Sequence, residues 1–223
     1  MSIKIACISD THNQHRNIEI PECDVLIHSG DFSYTGDFQS IWEINEWFGE
    51  LKSSGKVGQI VCVAGNHDWG FQKSPNLFRP LMTNCIYLQD EPLDFMGYKW
   101  YGSPRTPFFC SWAFNEQRGE EIKKWWDRIP DSTQILITHG PPMGILDEVD
   151  SGVVSGVEMG REHHGCEELR KRVDQLKDLK LHCFGHLHDN NGIYKDPSGK
   201  LFVNAAICSE QYEPIQPVRI VEL

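Results

Sequence analysis

The sequence predicts an α/β protein in which helices pack on a pair of central sheets. In its first half, short runs of β-branched and apolar residues alternate with stretches in which apolar residues recur at helical spacing. In its second half, several short strand-like runs are grouped between turn residues. A helix with one apolar stripe must bury it against another element, so this order of segments favours helices layered on sheets. At 223 residues, we expect one domain spanning residues 1–223.

The first half is expected to contain three buried strands and two helices. The strands are predicted at 3–9, 24–29 and 57–64, where apolar residues run almost without interruption. A helix is predicted at 39–52, because its apolar residues recur on one face. A second, short helix is predicted to begin at Ser74-Pro75 and to reach about residue 83, since proline is favoured at the first helical position.

The second half is expected to contain more antiparallel pairs. Short strands at 86–89, 93–95 and 99–102 are separated by turn residues such as Met96-Gly97, which favours antiparallel pairing. The segment 103–107 contains two prolines and is expected to be a loop. Helices are predicted at 118–128 and 166–178, strands at 134–138 and 180–184, and closing antiparallel strands at 191–195, 201–207 and 218–221.

Residues 143–165 have no strong period and contain five glycines. A run of this length without regular structure is uncommon in a compact domain and often serves as a lid or a binding loop. A disordered surface excursion is the alternative.

The composition excludes several classes of protein. The formal net charge of −11 argues against a surface that follows a long nucleic acid, because such surfaces are basic. The eight cysteines include no Cys-x-x-Cys pair, so we expect buried free thiols in a reducing compartment. The sequence has no signal-peptide pattern and no window approaching about 18 unbroken apolar residues. We therefore expect a cytoplasmic protein that does not span a membrane.

Residues that can bind metals follow five of the predicted strands. They stand in Asp10-Thr11-His12, Gly30-Asp31, Gly65-Asn66-His67-Asp68, Thr138-His139-Gly140 and Gly185-His186-Leu187-His188. In an extended chain, residues i and i+2 project to the same side, so Asp10 and His12 can reach one point. The same spacing applies to His186 and His188. Each segment alone is compatible with an ordinary turn, but five of them at five strand ends favour a divalent-metal site.

The order of these motifs resembles the calcineurin-like metallophosphoesterase superfamily over residues 5 to 188. Three further motifs resemble its branch of brain-type metallophosphoesterase-domain phosphodiesterases: Thr138-His139-Gly140-Pro141-Pro142, Gly102-Ser103-Pro104 with Trp112-Ala113-Phe114-Asn115, and His164-Gly165-Cys166. The resemblance implies a four-layer α-β-β-α sandwich, in which two mixed central sheets are flanked by helices.

The resemblance also implies a role for each candidate residue. One metal ion would be held by Asp10, His12 and His188, a second by Asn66, His139 and His186, and Asp31 would bridge the two. Such ions, about 3.5–4 Å apart, would clamp a phosphoryl group and lower the pKa of a shared water, whose hydroxide would attack phosphorus. His67 would donate a proton to the leaving oxygen or stabilise the charge there, and Asp68 would orient the His67 ring. The ligand set admits Mn, Fe, Zn or Co, and Mn is favoured.

Several other residues have both a structural and a functional interpretation. His28 lies within a strand and is expected to be a core histidine. Arg105 could grip a phosphate oxygen from its loop, and His163 and His164 could touch substrate or lie on the surface. A place in the core is expected for Trp47, Trp125 and Trp126.

The resemblance favours hydrolysis of a small phosphodiester or nucleotide, such as a cyclic nucleotide. A phosphomonoesterase or protein phosphatase of the same superfamily is a second hypothesis. A non-catalytic metal-binding scaffold is a third, because one retromer subunit keeps this fold without the key active-site chemistry.

Overall fold

Two mixed sheets form the centre of the structure, a computed structural model that describes residues 2–150, 153–154, 157–158 and 160–223. The first sheet contains β1 (Lys4–Ile8), β2 (Cys23–His28), β3 (Val57–Cys62), β4 (Ile86–Tyr87) and β17 (Arg219–Glu222). Its strand order is β17-β1-β2-β3-β4. The strands β1 to β4 are parallel, and β17 pairs antiparallel with β1.

The second sheet has six strands. They are β5 (Glu91–Phe95), β6 (Tyr98–Ser103), β9 (Ile135–Thr138), β14 (Leu181–Phe184), β15 (Gly192–Lys195) and β16 (Leu201–Asn204). In the order β15-β16-β14-β9-β6-β5, the inner four strands are parallel and the two outer strands are antiparallel to their neighbours.

Five α-helices, three single-turn 3-10 helices (His15–Asn17, Arg79–Leu81 and His188–Asn190) and three small two-stranded sheets complete the regular structure of the described residues. The α-helices are α1 (Phe38–Ser53), α2 (Trp69–Lys73), α3 (Pro75–Phe78), α4 (Glu120–Trp126) and α5 (Glu167–Gln175). The small sheets pair β7 (Thr106–Pro107) with β8 (Asn115–Glu116), β10 (Glu148–Asp150) with β13 (Arg161–His163), and β11 (Val153–Val154) with β12 (Val157–Glu158). None of the helices within the described residues is long and apolar enough to cross a membrane.

Successive side chains of each central strand point to opposite faces of its sheet and so pack into different layers of the core. Ile5 and Cys7 of β1 face the core between the two sheets, whereas Ala6 and Ile8 face the core beneath α1. Burial of one large apolar side chain of this kind stabilises the fold by about 1.5–3 kcal/mol. The outer face of the second sheet packs against α4 and α5. The layers are therefore helix, sheet, sheet and helix, which confirms the expected fold class.

Several local predictions were wrong. The strand predicted at 86–89 pairs parallel with β3 rather than antiparallel with its neighbour, and the loop predicted at 103–107 contains the end of β6 and all of β7. Helix α2 was not predicted. The segment 143–165, expected to lack regular structure, contains β10 to β13, although its residues 151–152, 155–156 and 159 lie outside the described residues.

Candidate metal centre

The candidate residues come together because the carboxyl ends of the parallel strands of both sheets meet at one place. Asp10 follows β1, Asp31 follows β2 and Asn66 follows β3 in the first sheet. His139 follows β9 and His186 follows β14 in the second sheet. The two sheets are joined here by a parallel bridge between residues 9 and 206. The structure thus brings side chains from five strand ends to one crevice.

Left-handed backbone turns aim four of these side chains inward. Asp10, His12, Asp31 and His186 have φ angles of 54°, 40°, 56° and 70°. Such angles are unfavourable for residues with a side chain and are common at functional sites. The sequence argument from extended backbone was therefore wrong in its geometry, although Asp10 and His12 do converge. His186 and His188 do not face one way: His186 lies beside the His139 ring and His188 beside the His12 ring.

The first group of side chains contains Asp10, His12 and His188. The Nε2 atoms of His12 and His188 are 3.3 Å apart, and His188 Nε2 lies 3.4 Å from Asp10 Oδ1. Asp10 Oδ1 is buried and has no hydrogen-bond partner. The third pair, His12 Nε2 and Asp10 Oδ1, is 4.0 Å apart. Donor atoms bound at about 2.1 Å to one cation lie about 3.0–3.4 Å from one another, so two of the three distances match a shared ion, and all three atoms are close enough to be candidates for one metal site.

The second group surrounds His139. Its Nε2 atom lies 2.8 Å from Asn66 Oδ1 and 3.3 Å from Asp31 Oδ2, and its ring centroid is 5.0 Å from that of His186. Asp31 Oδ2 is also 3.8 Å from Nε2 of His12 in the first group. The Asp31 carboxylate therefore lies between the two groups, and its oxygen atoms are the ones that could be shared.

Backbone carbonyls orient three of the imidazole rings. The Nδ1–H groups of His139, His188 and His67 donate to the carbonyl oxygens of Ser29, Ser209 and Tyr34, each over 2.9 Å. Because a carbonyl can only accept, each ring directs its Nε2 atom into the site. This second hydrogen bond is the usual way in which proteins fix a metal-binding histidine.

Two glycines leave room for the charged side chains. A Cβ atom on Gly65 would lie 2.2 Å from Asp31 Oδ1, and one on Gly185 would lie 2.1 Å from Asp10 Oδ2. Any larger residue at these positions would displace the carboxylates. Glycine is therefore required because the backbone here approaches the two carboxylates so closely.

The buried charges in the site balance one another. Burial favours a raised pKa for Asp31, but the nearby His139 outweighs it and holds that pKa well below its ordinary value. Burial opposes protonation of His139, but the charge of Asp31 raises its pKa to about 9. Burial likewise opposes protonation of His188, but the negative charge of the Asp10 carboxylate, whose Oδ1 atom lies 3.4 Å from Nε2, raises the pKa to about 9. Metals bind neutral imidazole, so cations compete with these protons and bind less well as the pH falls.

His67 lines a cavity at the site, whereas Asp68 is buried. His67 lines a cavity of about 330 Å³ together with Asp31, Asn66, His186 and His188, and its ring stacks on Trp112 at a centroid distance of 4.2 Å. Asp68 is fully buried and accepts from the backbone N–H groups of Gly65 and Phe32. The expectation that Asp68 orients the His67 ring was wrong, because the Tyr34 carbonyl does so.

Two histidines and the three tryptophans that were expected in the core lie outside the site. His28 is fully buried, accepts from the Gly30 N–H and lies 3.0 Å from the Thr11 hydroxyl, so it is a satisfied core histidine as expected. His163 is half exposed and pairs with Asp147. Trp125 is only partly buried, contrary to expectation, whereas Trp47 and Trp126 are in the core.

Arg105 does not reach the site. Its guanidinium donates to Asp90 and Glu116 and lies over the Trp125 ring, 3.5 Å from the centroid. The hypothesis that Arg105 grips phosphate was therefore wrong.

Sequence reasoning missed three residues around the site. Trp112 stacks on His67, Ser209 fixes His188, and the Tyr212 ring lies edge-on to His12 at a centroid distance of 4.7 Å. Trp112 had been noted only as part of the motif Trp112-Ala113-Phe114-Asn115, without a role in the site. Nothing in the local pattern around 209–212 indicated the other two.

Comparisons with known proteins agree with this geometry. The family model described as calcineurin-like phosphoesterase matches residues 3–190. The human protein named Metallophosphoesterase domain-containing protein 1 is 35% identical over 243 residues, covering 99% of this chain and 71% of its own length. A UPF0046 protein of Caenorhabditis elegans is 33% identical over 222 residues, covering 93% of this chain and 71% of its own.

The fold is shared with solved structures. One of them is that of a putative 5′-nucleotidase from Staphylococcus aureus in complex with alpha-ketoglutarate, with a TM-score of 0.51 and 11% sequence identity. The alignment covers 99% of this chain and 54% of that one, so this chain corresponds to about half of its length.

Proposed function

This chain belongs to the calcineurin-like phosphoesterase family of metal-dependent hydrolases, and we propose that it is a binuclear phosphodiesterase of small phosphodiesters such as cyclic nucleotides. The proposal assigns one ion to Asp10, His12 and His188, and the other to Asn66, His139 and His186. Asp31 is proposed to bind both. Mn²⁺ is the proposed metal, although the nitrogen and oxygen donors also suit Fe, Zn or Co.

The position of the Asp31 carboxylate is the observation that carries this proposal. Asp31 Oδ2 lies 3.3 Å from His139 Nε2 and 3.8 Å from His12 Nε2, and the two histidines belong to different sheets and different proposed sites. A single carboxylate between two sets of inward-facing donors is what a pair of neighbouring cations requires. When bound, two such ions would neutralise phosphoryl charge and supply a nucleophile at neutral pH.

His67 is proposed to assist the leaving group. Hydrolysis forms a bond between a water oxygen and phosphorus and breaks the bond to the leaving oxygen. With Nδ1–H bound to the Tyr34 carbonyl, the Nε2 atom of a protonated His67 can donate its proton to that oxygen. The Trp112 ring stacked on His67 restricts the rotation of the imidazole.

Activity with paired substrates tests the proposal. The full chain would be stripped with a chelator, reloaded with Mn²⁺, Fe²⁺, Zn²⁺ or Co²⁺ in turn, and assayed with bis-p-nitrophenyl phosphate and p-nitrophenyl phosphate. We expect metal-dependent hydrolysis with a clear preference for the diester. A preference for the monoester would contradict the diesterase proposal, and no metal-dependent turnover of either substrate would favour a non-catalytic scaffold.

We also propose that the protein works in the cytosol. All eight cysteines are free thiols, six of them buried, and unpaired thiols persist in reducing compartments.

A further inference from the structure

A second cavity meets the first one at the candidate metal centre. It has a volume of about 440 Å³, and it shares Phe109, Val149, His186 and Leu187 with the cavity that contains His67. His186, a proposed metal ligand, thus lies on the boundary between two separate spaces.

The second cavity is mainly apolar. Phe108 and Pro141 line it together with the shared residues, and Phe108 and Phe109 are 47% and 63% exposed. Large apolar side chains exposed beside a polar site are typical of a ligand-binding surface.

Besides the proposed metal ligand His186, two basic side chains line this cavity, Arg118 and His164, and the guanidinium is already paired within the protein. Arg118 donates to the carbonyl oxygens of Gly165 and His164 over 2.8 and 2.9 Å, and it forms an ion pair with Glu167 at 2.5 Å. The guanidinium therefore has its partners within the protein, and the lining favours an uncharged organic group over a second phosphate.

A side-chain amide holds the aromatic wall in place. Asn115 Oδ1 accepts from the backbone N–H groups of both Phe109 and Trp112, over 3.1 and 3.0 Å, and Asn115 Nδ2 donates to the Thr106 hydroxyl. The loop that carries these rings is fixed before any ligand binds, which lowers the entropic cost of binding.

We propose, resting on the phosphodiesterase function above, that this second cavity binds the substituent that stays on phosphorus, and that it selects an uncharged aromatic or nucleoside group. An acyclic phosphodiester carries two separate substituents, whereas in a cyclic nucleotide the leaving oxygen remains part of the retained nucleoside, which would then occupy the second cavity with that oxygen facing His67. His67 lines only the first cavity, so the leaving group belongs there and the retained group belongs on the other side of His186. A phosphomonoester would leave the second cavity empty.

Two substrates that share the same leaving group but differ in the retained group test this assignment. Methyl p-nitrophenyl phosphate and phenyl p-nitrophenyl phosphate both release p-nitrophenolate and differ in the retained group. In Phe108→Ala, we expect kcat/KM of the metal-loaded chain to fall about tenfold for the phenyl substrate, the size typical of a lost aromatic contact, and to stay unchanged for the methyl substrate. Phe108→Tyr keeps the ring and should retain activity.

Phe38→Ala is the matched control, because Phe38 is also 47% exposed but lines neither cavity. This variant should leave kcat/KM unchanged for both substrates. The assignment would be overturned if Phe108→Ala lowered kcat/KM equally for both substrates, or lowered it for neither.

A binding measurement separates this inference from the proposed activity. Titration calorimetry would give the Kd of diphenyl phosphate and of dimethyl phosphate for wild type and Phe108→Ala. We expect the variant to bind diphenyl phosphate about tenfold more weakly, without a change for dimethyl phosphate. An unchanged Kd for diphenyl phosphate would overturn the inference. A wild type that binds the aryl diester through Phe108 but hydrolyses no diester would refute the activity alone.

Discussion

Replacing His67 with alanine would separate proton donation from metal binding. The Asp31 carboxylate is held by the backbone N–H of residue 67, which donates to Oδ1 over 2.8 Å, and this bond survives the loss of the ring. The His67 Nε2 atom is 3.9 Å from Asp31 Oδ2, and its Nδ1–H is bound to the Tyr34 carbonyl. His67→Ala is therefore expected to keep both metal ions.

The expected loss of rate depends on the leaving group. General acid catalysis contributes about 10²–10⁴ in rate, or about 2.7–5.5 kcal/mol of the barrier. This loss is expected in kcat for a cyclic nucleotide, whose leaving alkoxide must be protonated. With bis-p-nitrophenyl phosphate the loss should be far smaller, because p-nitrophenolate departs without a proton.

The assay compares kcat for both substrates, with bound metal counted by mass spectrometry of the same samples. His163→Ala is the control, since His163 is a half-exposed histidine paired with Asp147 rather than with the site. Equal losses with both substrates, or the loss of a metal ion from His67→Ala, would refute the role of His67 as a proton donor.

Three further substitutions test separate parts of the account. Asp31→Asn keeps the shape but removes the charge that both proposed ions share, so metal analysis should show weaker binding of both; two tightly bound ions would contradict the bridge. Gly185→Ala places a methyl group 2.1 Å from Asp10 Oδ2, and we expect a thermally less stable protein that binds less metal, whereas wild-type metal content would refute the close-approach argument. Arg105→Ala breaks its largely buried pair with Asp90 and should lower the free energy of unfolding by about 3 kcal/mol in urea titrations, without changing the KM for diesters; a raised KM would restore Arg105 to the site.

The layers of the fold and the meeting of the five motifs were predictable because both depend on repeated local patterns. Strands such as β1 place Ile5 and Cys7 on one buried face and Ala6 and Ile8 on the other. An uninterrupted apolar run in the sequence is the mark of a strand that is buried on both sides. The first helix was equally clear, because its apolar residues share one face. The structure adds a cap that was not predicted: the Asp37 side chain accepts from the Ser40 N–H. Parallel strands then bring their carboxyl ends to the same edge whatever the details of the loops.

The errors arose where distant residues decide the outcome. Arg105 is fixed by Asp90 and Glu116, and His188 by the Ser209 carbonyl, and no sequence period relates these partners. The two residues of β4 are too few to show a period, so their parallel pairing depends on the tertiary fold. The turns at the strand ends were missed because a positive φ is uncommon for every residue except glycine, so an aspartate such as Asp10 gives only a weak local signal for it.

Anomalous diffraction from crystals grown with Mn²⁺ is the most direct test of the central claim, because it locates the cations without relying on activity. We predict two anomalous peaks, one bounded by Asp10, His12 and His188 and the other by Asn66, His139 and His186, with the Asp31 carboxylate in contact with both. A single peak, or two peaks that do not share Asp31, would contradict the account.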